Sequence, residues 1–309
     1  MDYFLLGNAL LMFGAFALQF GMMGSDDEGS ETSSASETTE TEVSEPEALI
    51  YDPALYGTEE LGTTGDDVVD LAASPLNVAV FLDEGNDVLD ASINDDYAEG
   101  GAGNDEMSMR PGDDIALGGA GDDTIDGGLG DDTLYGGDGN DLISGGNDDD
   151  EVHGDAGDDT LLGSRGNDSL DGGSGDDVLY GNTDAEPGLS DDGNDTLSGG
   201  DGNDALHLGG DDQGTGGAGA DNFLLYDPGD SGTIAEVTDY NADDDVIGVV
   251  YTPTTDPDTG DPVVPSLSVS TNDEGTIGFI ALDGVEIARI IGGQDLTVGD
   301  IALIAQETD

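Results

Sequence analysis

Residues 118–144 read GGAGDDTID, GGLGDDTLY, GGDGNDLIS, three copies of the pattern G-G-x-G-x-D-x-U-x in which U is a large apolar residue. The sixth position of this nine-residue period is filled without a break by Asp105, Asp114, Asp123, Asp132, Asp141, Asp150, Asp159, Asp168 and Asp177. The eighth position carries Met107, Ala116, Ile125, Leu134, Ile143, Val152, Leu161, Leu170 and Leu179, so the acidic and apolar signals share one period. A three-residue run such as Thr133-Leu134-Tyr135 is a very short strand whose middle residue points to one face and whose neighbours point to the other. The six residues before it must reverse the chain. Glycine at positions one, two and four permits positive φ and close backbone approach, and Asp or Asn at position five tolerates left-handed geometry. One such unit cannot bury its single apolar side chain, but stacked units align these residues into a continuous core.

Working outward from this block, LDEGNDVLD (82–90) and ASINDDYAE (91–99) keep the register and place Asp87 and Asp96 at position six; GTTGDDVVD (62–70) precedes them with Asp67. Downstream, the stretch from Gly181 to Ser198 is a repeat length too long before Asp195. Asp204 and Asp221 then restore the pattern, so 182–192 is read as a surface loop. Three turns depart from the consensus and are suspect: Asp148 replaces a fourth glycine, Met109, Arg110 and Pro111 open one turn, and Gln213 stands where Asp is expected.

Composition agrees with a cation partner. The 309 residues hold 73 acidic side chains against three arginines and no lysine, a formal net charge of -70, which excludes nucleic acid and disfavours anionic membrane surfaces. Carboxylate and carbonyl oxygens are what hard cations prefer: Ca²⁺ takes about six to eight of them at roughly 2.3 to 2.6 Å. Generic acidic surfaces, as in halophilic proteins, scatter their charges, whereas these recur at fixed spacing. Cysteine is absent, which removes disulfides and thiolate sites.

On these residues the chain resembles the RTX, or haemolysin-type, calcium-binding repeat proteins. The resemblance implies an all-β fold, a right-handed parallel β-roll with two nonapeptides per coil and Ca²⁺ ions between a turn and the turn two repeats later, so that Asp132 shares a site with the turn of Asp150. The implied ligands are the carboxylates of Asp87, Asp96, Asp105, Asp114, Asp123, Asp132, Asp141, Asp150, Asp159, Asp168, Asp177, Asp195, Asp204 and Asp221. The turn glycines Gly100, Gly103, Gly118, Gly121, Gly127, Gly130, Gly136, Gly139, Gly157, Gly166 and Gly175 would add backbone.

Four segments are expected. Residues 1–24 include an uncharged stretch, 3–23, long enough for a transmembrane helix of ~30 Å or an uncleaved signal anchor. A cleaved signal peptide, with Ala15 and Ala17 at the cut, is the alternative, but its positive n-region is missing. Gly14, Ala17, Gly21 and Gly24 share a helical face through which the helix could self-associate. Residues 25–48 read as a disordered acidic Ser/Thr/Glu tether. The roll occupies 49–223, its first residues to Leu61 forming a short cap. Residues 224–309 form a C-terminal capping β-domain, with strands at 246–251, 267–270, 276–282, 285–291 and 301–305 and a hairpin at Asp283-Gly284. This last part resembles, more loosely, the roll-closing and export segment of serralysin-type proteins.

No enzyme is visible. The histidines, His153 and His207, form no H-E-x-x-H helix and read as solvent-facing strand residues, and no G-x-S-x-G elbow occurs. The expected function is calcium binding by an extracellular or cell-surface, membrane-anchored structural or interaction module. The alternative is a freely secreted type I substrate whose roll supports export and folding of a C-terminal recognition domain.

Overall fold

A computed structural model describes residues 54–181, 193–226, 233–255, 259, 262–293 and 296–306. Strand and turn alternate at the period of the sequence. In Thr133–Asp138, for example, Leu134 and Gly136 face inward while Thr133 and Tyr135 face out, because side chains along a strand alternate. From Thr58–Leu61 to Asn222–Tyr226 each strand pairs in parallel with the strand two places on: Leu134 lies beside Ala116 on one side and Val152 on the other, and Ile143 lies between Ile125 and Leu161. Two repeats thus make one coil of 18 residues.

Among the described residues the coils build two sheets, one of 13 strands and one of 11, whose inner faces meet in a single core. Ile125, Leu134, Ile143, Val152, Leu161, Leu170, Leu179, Leu197 and Leu206 form its centre and are at most 1 % exposed. Each contributes ~1.5–3 kcal/mol of burial. The first position of the repeat is the second inward-facing place on each strand. It is glycine through the middle of the roll but Leu82, Ala91 and Met109 near the start and Leu208 and Leu225 near the end, all fully buried.

The ends differ from expectation. Thr58–Leu61 is not a separate cap but pairs with Val78–Phe81 as the first strand of the larger sheet. Nor do residues 224–309 form a separate domain: Ala235–Val237 and Val285–Ile291 continue the larger sheet, and Val246–Tyr251 and Ile301–Ala305 continue the smaller one, all in parallel. Ile50–Asp309 is one compact unit. The stack goes on because Val237, Ile247, Ile290 and Ile301 supply inward apolar residues without needing glycine turns. Antiparallel strands Ile277–Leu282 and Leu267–Thr271 finish the larger sheet. The hairpin at Asp283-Gly284 has positive φ at both residues, +49° and +83°, as a type I′ turn requires.

The 182–192 segment lies outside the described residues; across it the coil lengthens to 27 residues while both flanking strands stay in register. Residues 3–23 and 25–48 likewise lie outside the described residues. Among those described there is no α-helix, only a 3-10 turn at Val298–Asp300, and no helix long and apolar enough to cross a membrane.

Coil stacking is tightest at the fourth-position glycines. At Gly121, with φ +134°, an added Cβ would lie 2.0 Å from the carbonyl oxygen of Gly103 in the preceding coil, whereas at Gly65 it would meet nothing within 4 Å. Gly121→Ala should therefore cost at least ~1–3 kcal/mol and Gly65→Ala less than ~0.5 kcal/mol. Urea unfolding at saturating calcium would show this, and equal effects of the two substitutions would count against the close-stacking account.

Candidate metal centre

The sixth-position aspartates form two rows, one along each edge of the roll where the chain passes between sheets. Asp87, Asp105, Asp123, Asp141, Asp159, Asp177, Asp204 and Asp221 lie along one edge, and Asp96, Asp114, Asp132, Asp150, Asp168 and Asp195 along the other; all are at most 3 % exposed. Their two carboxylate oxygens have different fates. Oδ1 accepts the backbone N–H of the aspartate one coil earlier: Asp105 N–H donates to Asp123 at 2.7 Å, Asp123 to Asp141 at 2.7 Å and Asp141 to Asp159 at 2.7 Å. In the second row Asp114 donates to Asp132 at 2.8 Å and Asp132 to Asp150 at 2.9 Å. The ladder crosses the long coil intact, from Asp168 to Asp195 and from Asp177 to Asp204, each at 2.9 Å.

Oδ2, by contrast, is buried without a hydrogen bond in Asp87, Asp105, Asp114, Asp123, Asp132, Asp141, Asp150, Asp159, Asp177 and Asp204. A buried acceptor left unsatisfied costs ~1–3 kcal/mol, more when charged. So many of them are out of proportion to a net stability of ~5–15 kcal/mol. Burial, opposed by the amide bonds and reinforced by neighbouring carboxylates, pushes Asp114 and Asp150 up to about 8, Asp123, Asp132 and Asp159 to about 7, and Asp204 to about 6. Two unit charges one strand spacing apart, about 4.8 Å, repel by about 3 kcal/mol even at an effective dielectric of 20. The rows therefore require either protons or a cation.

The shape of the turn favours a cation. A Cβ built on the first-position glycine Gly118 would lie 2.4 Å from Asp123 Oδ2 and 2.6 Å from the carbonyl oxygen of Gly136 in the next coil. Gly100, Gly127, Gly154 and Gly172 repeat this arrangement with Asp105, Asp132, Asp159 and Asp177. A carboxylate and a carbonyl thus converge on a small space that only glycine leaves open, and all the donors are oxygen, as Ca²⁺ prefers. No trio of Asp, Glu, His or Cys side chains gathers among the described residues, so a cation here would draw on backbone oxygens beside its carboxylate ligands rather than on a side-chain cage. A bound Ca²⁺ supplies the positive charge and the coordination that the Oδ2 rows lack.

The remaining implied ligands divide by position. The first-position glycines Gly100, Gly118, Gly127 and Gly136 border this space, whereas Gly103, Gly121, Gly130, Gly139, Gly157, Gly166 and Gly175 press against the preceding coil with positive φ. First-position Gly145, Gly154, Gly163, Gly172, Gly181, Gly199 and Gly216 also face their aspartates, although they are absent from the expected ligand set. Position one alone would have identified them.

Of the suspect turns, Asp148 keeps the glycine geometry at φ +79°, and Asp150 beside it is buried like its neighbours. At Met109 the first-position space is taken by a buried side chain, while Arg110 turns outward onto Asp90. Gln213 is not a substitution at position six. The coil there is 17 residues long, and Asp212, 1 % exposed, takes the position and accepts from Asp195 N–H at 3.0 Å. Asp245 likewise follows Asp221, at 3.1 Å.

The histidines are less open than expected. His153 stacks on Tyr135 at 4.6 Å, and His207 stacks on Tyr180 at 4.1 Å and bonds Tyr226 Oη at 2.8 Å. Burial holds His207 down at about 4.

Comparison with known proteins bears on the repeats. The profile of the RTX calcium-binding nonapeptide repeat (4 copies) matches residues 81–116, 110–143, 117–152, 129–161, 153–185 and 189–223. No curated protein matches the chain. Among solved structures, the AlgE6R3 subunit from the Azotobacter vinelandii mannuronan C5-epimerase aligns at 22% identity over 50% of this chain and 78% of its own, with a TM-score of 0.28. Extracellular lipase LipA from Serratia marcescens aligns at 16% identity over 74% of this chain and 45% of its own, with a TM-score of 0.28. Overlays at that score carry nothing about overall shape or activity. The profile match, the nine-residue period and the paired rows of buried carboxylates agree: residues 81–223 belong to the RTX calcium-binding nonapeptide repeats, whose turns bind multiple Ca²⁺ ions.

Proposed function

We propose that this chain is an extracytoplasmic structural or interaction module, not an enzyme, whose roll folds on binding several Ca²⁺ ions and is held at a membrane by residues 3–23. The observation that carries the calcium-driven folding is the pair of Oδ2 rows, buried and without a protein partner. A ligand that binds only the folded state stabilises it by RT ln(1 + [L]/Kd) per independent site, and several weak sites add. Extracellular calcium modules work at Kd ~10⁻⁴–10⁻³ M, above cytosolic calcium, so the chain stays open inside the cell and orders outside it. The tether reading is supported by the uncharged stretch 3–23 and the acidic, apolar-poor segment that follows.

A calcium titration of the full chain followed by far-ultraviolet circular dichroism should show a large gain of β signal with a midpoint near ~10⁻⁴–10⁻³ M. An equal gain with monovalent salt alone would instead make the roll a generic acidic fold. Deleting residues 3–23 should move the protein from the membrane fraction to the soluble one; unchanged fractionation would remove the tether.

The pH dependence should reverse with metal. For the metal-free roll, the buried aspartates are raised from 3.8 to between about 6 and about 8, so their contribution to stability is full below about 4 and lost as pH rises through that range. His207, lowered to about 4, acts oppositely, its contribution fading as pH falls below 6.5, but it is one group against many. In chelator the melting temperature should therefore rise between pH 8 and pH 5, while the calcium midpoint moves to higher concentration because protons and Ca²⁺ compete for the same oxygens. A metal-free roll that melts lower at pH 5 than at pH 8 would overturn the assignment of protons to these carboxylates.

A further inference from the structure

The turns fall into two classes that the repeat pattern does not distinguish. In most, the residue at position two has a positive φ: Gly101 at +108°, Gly119 at +111°, Gly137 at +112°, and even Asp83, Arg110 and Asp155 at +70° to +76°. That conformation turns the amide of position two away from the turn's own aspartate, whose Oδ2 is left unbonded. These turns are open.

Four others are closed. Thr63 N–H donates to Asp67 Oδ2 at 2.6 Å, Ser92 N–H to Asp96 Oδ2 at 2.7 Å, Gly209 N–H to Asp212 Oδ2 at 2.6 Å and Asn241 N–H to Asp245 Oδ2 at 2.7 Å. None of these four donors has a positive φ. In the first two the hydroxyl at position two also donates to the aspartate, Thr63 Oγ1 to Asp67 Oδ2 and Ser92 Oγ to Asp96 Oδ1, each at 3.0 Å. The amide thus supplies, from within the protein, the partner that an open turn lacks.

Their placement is not random. In the row that runs Asp67, Asp87, Asp105 and onward to Asp221 and Asp245, the closed turns are the first and the last. In the row from Asp96 to Asp212 they are again the first and the last. Just inside the leading pair, the turns of Asp87 and Asp114 are open at position two but filled at position one by Leu82 and Met109. From the leading end inward, the turns pass from amide-closed to apolar-filled to glycine-lined, whereas at the trailing end the closed turns of Asp212 and Asp245 follow directly on the glycine-lined turns of Asp195 and Asp221.

We propose that the turns of Asp67, Asp96, Asp212 and Asp245 are calcium-independent stops that bracket both cation rows, closed by their own backbone so that the ends of the roll hold without the metal that the middle requires. The inference rests on the calcium reading above and adds which turns bind and which do not. It makes the stops the fixed ends between which calcium orders the open coils.

The test compares bound calcium in the full chain at saturating Ca²⁺, measured by equilibrium dialysis with ⁴⁵Ca, for wild type, Asp67→Asn, Asp96→Asn, Asp132→Asn and Asp141→Asn. The first two variants should keep the wild-type stoichiometry, and each of the latter two should lose at least one ion. Loss from Asp67→Asn or Asp96→Asn equal to that from Asp132→Asn would overturn the stops while leaving calcium binding intact; a wild type that binds no calcium would overturn the functional reading instead. A second measurement needs no variant. Hydrogen exchange of the wild type in chelator should leave amides slow in peptides covering 62–70, 91–96, 208–213 and 240–246, with those covering 118–123 and 136–141 exchanging at least tenfold faster. Uniform exchange across both sets would also overturn the proposal.

Discussion

A carboxylate that spends one oxygen on the protein and has none to receive the other governs this structure. Asp123 Oδ1 takes the amide of Asp105, and Asp123's own amide goes to Asp141, so each sixth-position side chain fixes the spacing of two coils. Its backbone carbonyl is also used, accepting from Leu142 N–H at 2.9 Å. With Oδ1, amide and carbonyl all committed, the aspartate cannot rotate out to water without dismantling the ladder. Oδ2 is consequently held inside in a long row of like charge. Three arginines cannot neutralise such rows, and two of them, Arg110 and Arg289, pair instead with Asp90 and Glu236. The ladder that stacks the coils is thereby the same device that creates the demand for cations.

The cost of that device appears in the core. Each strand has two inward places, and in the middle of the roll one of them is glycine, so roughly half of the side-chain volume a two-sheet core would hold is given up to the turn. Close packing normally supplies much of the stability of a fold. Here the apolar residues are concentrated at the ends, where Val78, Val80 and Leu82 lie together at the start and Leu208, Phe223, Leu225, Ile247 and Val249 at the finish. Gly214 shows the exchange in detail: its strand lacks an inward side chain at position eight, and Leu208 from the facing sheet reaches into the gap. Each coil in the middle thus buries one large apolar side chain per strand where the ends bury two or more.

This division also explains what could be read in advance. The nine-residue period, the inward apolar row and the buried aspartates from Asp87 to Asp221 were legible because stacking forces each coil to repeat the last. Five of the seven strands described after residue 245 and the Asp283-Gly284 hairpin were legible from β-branched runs and turn chemistry, whereas the two-residue strands Thr254–Thr255 and Pro262–Val263 were too short to leave a pattern. Their membership of the same two sheets was not, since parallel pairing across 53 residues, as between Glu236 and Arg289, leaves no local trace. Asp212 was missed because a coil one residue short shifts the count, and a fixed period misplaces whatever follows a deletion. Asp245 was missed because the glycines that flag a turn are gone where Asn241 closes it by hydrogen bonding. The burial of His207 depends on Tyr180 and Tyr226, which are neighbours only across coils.

The hydrogen bonds between coils run in both directions, and this bears on how calcium acts. Sixth-position side chains accept from the coil before, as Asp141 does from Asp123, whereas fifth-position side chains accept from the coil after, as Asp122 does from Asn140 at 3.1 Å and Asn140 from Asp158 at 3.0 Å. A coil is therefore held by its neighbours on both sides, and ordering one coil sets acceptors in place for the next. In a stack with nearest-neighbour contacts, stability is a sum of intrinsic and interface terms, and an ordered unit lowers the cost of ordering the adjacent one. Ion binding at one turn then fixes the ladder that positions the oxygens of the next turn. Weak individual sites are sufficient under such coupling, because the entropy of forming a turn is shared with a neighbour already formed. The same coupling gives the sequence its freedom at single turns: Asp148 can stand in for a glycine, or Met109 fill one space, without breaking the rows on either side.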